Sequence, residues 1–164
     1  KVFLDIFVLA GLYTIRIIAG AVAIGISVSP WLLAFSMFFF LALAVVKRLV
    51  ELQTVIRTNH TRGHKRDYWV EDLSMIQALG AASGYLSVLV LALYFNSPEA
   101  LSLYRSPQLL WGICPLLLFW ISRMLILANR GKVHDDPIVH TARDRVSYLV
   151  GAAIIAVIAA SVLL

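Results

Sequence analysis

Five long apolar segments constrain this chain more than any other feature of its sequence. A helix that crosses a bilayer needs about 20 mainly apolar residues, within a range of about 17–25. The segments are apolar all round, which is typical of helices that face lipid or a packed interior. With 61% hydrophobic and 14% charged residues, the composition argues against a water-soluble domain. The segments occupy about residues 2–26, 31–46, 73–95, 109–128 and 146–164.

The length of the segments also decides between helices and strands. Lipid requires that backbone N–H and C=O groups be satisfied within a segment, and these segments are too long for single strands. We therefore predict an all-α integral membrane protein with five transmembrane helices, in a single transmembrane domain over residues 1–164. Because Lys1 leads almost directly into the first apolar segment, we expect the chain to belong to a longer polypeptide.

Basic residues alternate between the connections, and this alternation predicts the orientation. The connection over 47–72 carries six Lys and Arg and that over 129–145 carries four, whereas 27–30 carries none and 96–108 carries one. Connections rich in Lys and Arg stay in the cytoplasm. We predict a cytoplasmic N-terminal end and an outside C-terminus. In so apolar a chain, the net charge of +5 favours anionic lipid or phosphorylated substrates over nucleic acid.

The sharpest local signal is the run Lys47-Arg48-Leu49-Val50-Glu51-Leu52, which continues the second segment. Lys47 and Glu51 are four residues apart and Arg48 and Glu51 are three apart, so a helix places all three on one broad face. Two cations with one carboxylate could cradle a phosphate, and the carboxylate could orient the arginine or hold Mg²⁺. An ordinary basic stop at a membrane surface explains the spacing equally well.

Two arginines interrupt apolar segments. Arg16 lies near the middle of the first segment, where a charge is costly and points into a bundle or a wet cavity. It either lines a cavity or bonds to carbonyls of a neighbouring helix. Arg123 lies about five residues from the end of its segment, so it can extend to the membrane surface. Pro115 is the strongest candidate for a broken span of the kind that transporters use.

The last polar connection and the small residues carry further expectations. Asp136-Pro137 looks like an N-cap followed by Pro at the first helical position, and a short helix would bring Asp144 round between two arginines. Asp72 precedes the third segment, where a carboxylate also favours the helix dipole. Gly80 and Gly84, like Ala21 and Gly25, are four residues apart and predict close helix packing.

Four stretches of the chain together resemble the UbiA superfamily of intramembrane prenyltransferases, in its decaprenyl-phosphate phosphoribosyltransferase-like branch. The resemblance covers essentially the whole chain and depends on the order and spacing of these stretches. They are LDIFVLAGLYTIRIIAG over 4–20, Ser29-Pro30-Trp31, the run from Lys47 to Leu52, and Asp135-Asp136-Pro137 through Arg143-Asp144-Arg145.

The resemblance implies a bundle of nine transmembrane helices around a central cavity, of which the five segments match the last five. In most members two Asp-rich motifs hold Mg²⁺ and the diphosphate of the donor. The first motif, of the Asn-Asp-x-x-Asp type, would lie upstream of Lys1, in the remainder of the polypeptide. At the place of the second motif, this chain has the run from Lys47 to Glu51, which fits a phosphate-bearing substrate better.

The reaction implied by the resemblance is transfer to or from a polyprenyl phosphate in a bacterial inner membrane, with Mg²⁺ as cofactor. In the favoured form, the lipid phosphate attacks C1 of phosphoribosyl pyrophosphate. Lys47 and Arg48 would bind phosphate, and Glu51 would orient them or the metal. The substrate-binding residues implied around them are Arg16, Tyr68, Asp72, Asp144 and Arg145.

Two other functions stay open from the sequence. The same cavity could transfer a prenyl group from a prenyl diphosphate to an aromatic acceptor. Alternatively, the chain is a non-catalytic bundle whose basic connections bind anionic lipid or a partner. An Asn-Asp-x-x-Asp motif between two spans upstream of Lys1 would favour an enzyme over such a bundle.

Overall fold

The computed structural model describes residues 4–25, 29–57, 72–133 and 137–163. Its described part is helical and contains no strand, which confirms the all-α class. A 3-10 helix over Pro107–Gly112 leads into the fifth α-helix. The α-helices are α1 (Leu4–Ala23), α2 (Pro30–Arg57), α3 (Leu73–Phe95), α4 (Pro98–Leu103), α5 (Ile113–Asn129), α6 (Pro137–Thr141) and α7 (Arg145–Leu163).

Five helical stretches in the described part are long and apolar enough to cross a membrane. They correspond one to one with the five predicted segments. The structure thus confirms the five predicted apolar spans, while the nine-helix bundle stays a proposal. The stretches are Leu4–Ala23, Pro30–Thr54, Leu73–Phe95, Pro107–Asn129 and Arg145–Leu163.

The boundaries of α1 and α2 follow local chemistry. After α1, Gly25 has a φ of 70°, a left-handed conformation that favours glycine, and its N–H donates to the carbonyl of Val22 at 3.1 Å. The next helix begins at Pro30, because proline has no N–H to leave unsatisfied at a first helical position. Helix α2 continues past Val46 to Arg57, so the run from Lys47 to Leu52 is helical, as predicted.

Pro115 does not break the fourth span. The chain changes from 3-10 to α geometry between Gly112 and Ile113, and Pro115 is the third residue of α5. A proline in the first turn removes an N–H that has no partner within the α-helix. The mid-membrane break that a transporter interpretation expects at Pro115 is therefore wrong for this span.

Helix α2 lies at the centre of the bundle and contacts α1, α3 and α5. In its most apolar stretch 44% of the residues are buried, compared with 11% in α1 and 17% in α7. Val45, Val46 and Leu49 of α2 are almost fully buried, together with Ile76 of α3 and Met124 of α5. The core therefore lies between α2, α3 and α5, and the first and last spans lie at its margins.

Two glycines bring α3 close to its neighbours, as their spacing predicts. A Cβ at Gly80 would lie 2.8 Å from Cγ1 of Val45, and one at Gly84 would lie 2.5 Å from Cγ2 of Ile121. The prediction for Gly25 is wrong. That residue lies in the turn after α1, where a Cβ would meet nothing within 4 Å, because its role is the positive φ.

One end of the bundle gathers the polar side chains, and we call it the basic end. Here α2 and α5 end and α3 and α7 begin, so Gln53 and Gln77 both donate to Oδ1 of Asn129, at 3.1 Å and 2.6 Å. The antiparallel packing of α3 against α2 and α5 puts the start of one beside the ends of the others. Both basic connections leave from this end.

Candidate functional site

Arg48 is buried at the basic end and joins α1 to α2. Its Nη2 donates to Oδ2 of Asp5, and its Nη1 donates to Oε2 of Glu51. The side chain of Arg48 is 7% exposed, whereas Asp5 and Glu51 are 28% and 43% exposed. The pair with Glu51 follows the predicted three-residue spacing. With two carboxylates around it, Arg48 stabilises the junction of α1 and α2.

Lys47 is half-buried on the neighbouring face of α2. It lies four residues beyond Leu43, so the two side chains share one side of the helix, about one turn or 6 Å apart along its axis. Leu43 lines an apolar cleft, and Lys47 follows it in the direction of the basic end. Helix α2 therefore places the cationic side chain of Lys47 about one turn beyond Leu43, which belongs to the apolar wall of the cleft.

The cleft has a volume of about 530 Å³ and is bounded by α2, α5, α6 and α7. This volume is within the range of about 300–1,000 Å³ that small-molecule sites occupy. Polar side chains on its surface are few, with Ser147 and Thr141 among them. Its walls include Phe39 and Leu43 of α2, Leu117 and Trp120 of α5, and Ser147 and Gly151 of α7.

A hydrogen-bonded network fixes the start of α7 against α5. Arg123 donates from Nη1 and Nη2 to the two carboxylate oxygens of Asp144, at 2.6 Å and 3.0 Å. The backbone N–H and the hydroxyl of Ser147 donate to Oδ2 of Asp144 at 2.9 Å and 2.7 Å, which makes Asp144 the N-cap of α7. Trp120 completes the network by donating from Nε1 to the Ser147 hydroxyl at 2.9 Å.

The network keeps Asp144 ionised. Burial by itself raises the pKa of the carboxyl group, but the hydrogen bonds from Arg123 and Ser147 outweigh it and lower the pKa from 3.8 to about 2. Arg123 thus forms an ion pair with a carboxylate of the same chain. The carboxylate that the sequence assigns to substrate is held here by donors of α5 and α7, and its contact with substrate stays a prediction.

Arg16 lies on the outer side of α1 and is exposed. Its guanidinium carbon lies 5.4 Å from the ring centroid of Tyr13, and that ring stacks on Phe40 of α2 at 5.2 Å. Arg16 is not among the residues that line the cleft between α2, α5 and α7. Its predicted position on a cavity wall stays a prediction.

Two other predicted substrate contacts, Asp72 and Arg145, lie at the basic end. Asp72 is half-buried directly before α3, where its side chain makes no capping hydrogen bond. Arg145 is the first residue of α7 and is exposed. Tyr68 lies outside the described residues, as does Asp136, although the helix predicted to follow it does begin at Pro137.

Glu51 does not form the predicted Mg²⁺ site with other described residues. Its Oε2 accepts a hydrogen bond from Arg48. Across residues 4–25, 29–57, 72–133 and 137–163, no group of three or more His, Cys, Asp or Glu side chains could hold a metal ion. The described residues by themselves therefore do not supply three such ligands for Mg²⁺, and the role of Glu51 at a metal stays a prediction.

Sequence reasoning missed Ser147 and Trp120, which connect the cleft to the Asp144 network. Two patterns could have identified them. Ser147 stands three residues after Asp144, the spacing at which an N-cap side chain accepts from the helix backbone. Trp120 stands three residues before Arg123, so both lie on one face of α5.

Comparisons with known proteins find relatives of greater length. The chain is 35% identical over 153 residues to the uncharacterized protein y4nM of Sinorhizobium fredii, which covers 92% of this chain and 30% of that protein. It is 35% identical over 144 residues to the nodulation protein NoeC of Azorhizobium caulinodans, covering 86% of this chain and 46% of NoeC. The chain thus spans less than half the length of each. No family model and no solved structure matches it.

Proposed function

We propose that this chain is part of a membrane-embedded, UbiA-type transferase that acts on a polyprenyl phosphate, by phosphoribosyl transfer from phosphoribosyl pyrophosphate. One observation carries the proposal: an apolar cleft along α2 is followed, one turn nearer the basic end, by Lys47. A lipid with an apolar chain and an anionic head matches this arrangement, because its chain would lie in the apolar cleft and its head would lie beside the cation.

We propose different roles for Lys47, Arg48 and Glu51. Lys47 would meet the phosphate, because its ammonium group can offset the charge of an anion beside an apolar wall. Arg48 is already bound by Asp5 and Glu51, so we assign it the role of a positioning residue that keeps α1 against α2. Glu51 would keep that guanidinium in place.

In the proposed reaction, an oxygen of the lipid phosphate forms a bond to C1 of the ribosyl group, and the bond from C1 to pyrophosphate breaks. Pyrophosphate leaves with the electron pair. Several negative charges converge in this step, so a fixed cation beside the attacking phosphate lowers the electrostatic barrier. Mg²⁺ stays the proposed cofactor, with ligands from parts of the protein other than the described residues.

A transfer assay tests this function. Membranes that contain the protein are incubated with a polyprenyl phosphate and labelled phosphoribosyl pyrophosphate, with Mg²⁺ and with a chelator, and the lipid product is identified by mass spectrometry. We expect labelled phosphoribosyl lipid from the unaltered protein and a loss of about 100-fold or more in Lys47→Ala, in the range of other electrostatic groups at reacting centres. Glu51→Ala should also lose transfer.

The matched control is Lys132→Ala. Lys132 is exposed after α5 at the same end of the bundle, so its removal takes away the same charge without touching the cleft. Equal activity of the Lys47 and Lys132 variants would remove Lys47 from the site. A product found only with a prenyl diphosphate and an aromatic acceptor would replace phosphoribosyl transfer with prenyl transfer. If neither pair of substrates gave a product, the result would favour the alternative of a non-catalytic, lipid-binding bundle.

We further propose that the basic end faces the cytoplasm of a bacterial inner membrane, because Lys and Arg are retained on that side. A cysteine placed at Lys132, in a Cys114→Ala background, should react with an impermeant maleimide only after the membrane is opened. A cysteine at exposed Ser102, at the opposite end, should react in intact cells. The reverse pattern would contradict this orientation.

A further inference from the structure

Gly151 is unlike the two glycines that pack α3 against its neighbours. A Cβ at Gly80 or Gly84 would collide with a side chain, whereas one at Gly151 would meet nothing within 4 Å. Glycine in a helix interior costs about 0.5–1 kcal/mol relative to alanine. Close packing in the described structure does not account for glycine at 151. The space beside it belongs to the cleft, which Gly151 lines.

The residues of α7 that line the cleft are Ser147, Tyr148, Val150, Gly151 and Ile154, of which Ser147, Gly151 and Ile154 follow helical spacings of four and three residues. Ser147 lies at the level of Trp120, whose indole donates to it. Gly151 is one turn farther from the basic end. A chain that enters from the basic end and runs along α7 beyond Trp120 would therefore meet Gly151.

The wall across the cleft is aromatic and fixed. The rings of Phe39 and Trp120 stack with their centroids 5.9 Å apart and their planes at 23°. Phe35 stacks on Phe39 from the other side along α2, at 5.4 Å, and the hydrogen bond to Ser147 holds the indole of Trp120. Because these rings are held by their own contacts, a larger side chain at 151 would narrow the space between α7 and this wall.

We propose that Gly151 is a specificity-determining residue that lets a long isoprenoid chain lie between α7 and the wall of Phe39 and Trp120, with its phosphate at Lys47. The proposal rests on the proposed function and extends it to the length of the lipid. The charge of Lys47 at one end selects an anionic head. Phe39 lies eight residues, or about 12 Å of helical rise, before Lys47, so a lipid whose phosphate is at Lys47 must extend about 12 Å to reach the level of Phe39.

The test compares Gly151→Leu with Gly20→Leu. A Cβ at Gly20 also meets nothing within 4 Å, but Gly20 is on α1 and does not line the cleft. Binding of geranyl, geranylgeranyl and dodecyl monophosphates to the protein in nanodiscs is measured by displacement of a photoreactive geranylgeranyl monophosphate, and crosslinked peptides are mapped. No co-substrate is present, so binding is measured apart from transfer.

We expect Gly151→Leu to lower the affinity for geranylgeranyl monophosphate about tenfold or more relative to geranyl monophosphate, as a filled pocket does to a ligand that no longer fits. Gly20→Leu should leave the ratio of the two affinities unchanged. The ratio for Gly151→Ala should lie between those of the unaltered protein and Gly151→Leu. Because a ratio of two ligands is read on one sample, partial loss of folded protein does not alter it. Crosslinks should fall on α2, α5 and α7.

Equal ratios in the Gly151 and Gly20 variants, or crosslinks confined to other helices, would overturn the proposal. Dodecyl monophosphate that binds as well as the isoprenoids and responds equally to Gly151→Leu would also overturn it, by showing a site for any single chain. Failure of the proposed function is distinguishable. Binding that depends on chain length, without any transfer, would support the cleft site and refute the proposed enzymatic function. Transfer that Gly151→Leu does not affect would support the enzymatic function and refute the role of Gly151.

Discussion

Gly84→Ala provides a direct test of how α3 packs in the bundle. In the structure, the new methyl carbon would lie 2.5 Å from Cγ2 of Ile121 on α5 and 3.6 Å from Cβ of Ala42 on α2. Carbon atoms in good contact are about 3.5–4.0 Å apart. The methyl group therefore fits against Ala42 but not against Ile121, so α5 must move by about 1 Å or Ile121 must change rotamer.

The size of the effect follows from two opposing contributions. Overpacking of a well-filled core costs about 1–3 kcal/mol. Replacing glycine by alanine inside a helix returns about 0.5–1 kcal/mol. The difference between these ranges is about 0–2.5 kcal/mol, so we expect Gly84→Ala to lower the free energy of unfolding by roughly 1 kcal/mol. In Gly11→Ala, where the new methyl meets nothing within 4 Å, only the favourable contribution remains.

The assay is reversible unfolding of the protein in mixed detergent micelles, followed by circular dichroism. A double variant sharpens it, because Ile121→Ala removes the atom that Gly84→Ala would strike. In that background Gly84→Ala should be neutral or stabilising, which gives a coupling energy of about 1 kcal/mol or more. If Gly84→Ala and Gly11→Ala changed stability equally, or if Ile121→Ala gave no relief, the close packing of α3 on α5 would be refuted.

Three further outcomes are expected at the basic end. Because the pKa of Asp144 is about 2 in the folded protein against an ordinary 3.8, its stabilising effect is complete above about pH 4 and is lost as the pH falls toward 2; pH-dependent unfolding should show this, and Asp144→Asn should abolish it. Arg48→Ala should destabilise the protein by about 1–3 kcal/mol, because it removes a side chain that is only 7% exposed and breaks the link from α2 to Asp5 of α1. Exposed Arg145→Ala should change the same unfolding free energy by less than about 1 kcal/mol. Trp120→Phe keeps an aromatic ring but is smaller and loses the hydrogen bond to α7, so the unfolding free energy should fall by about 1 kcal/mol or more.

The local part of the candidate site was predictable, and the long-range part was not. Arg48 and Glu51 are three residues apart on one helix, so their pairing needs only helical geometry. Asp5 reaches the same guanidinium from 43 positions earlier, and Asp144 reaches Arg123 across 21 positions. Those contacts depend on how α1 and α7 are rotated about their axes. Hydropathy is nearly uniform around these helices, so it leaves that rotation undetermined.

The sequence alone determined the number, type and approximate limits of the spans, because a bilayer admits few ways to satisfy a long apolar backbone. It also determined that Gly80 and Gly84 pack closely, since spacing puts them on one face. Only the tertiary structure decided that Arg48 is enclosed by two carboxylates, that Asp144 is bound by Arg123, and that a cleft remains beside Gly151. Lipid exposure fixes which segments cross the membrane, whereas the meeting of side chains between helices depends on shapes that no single segment contains.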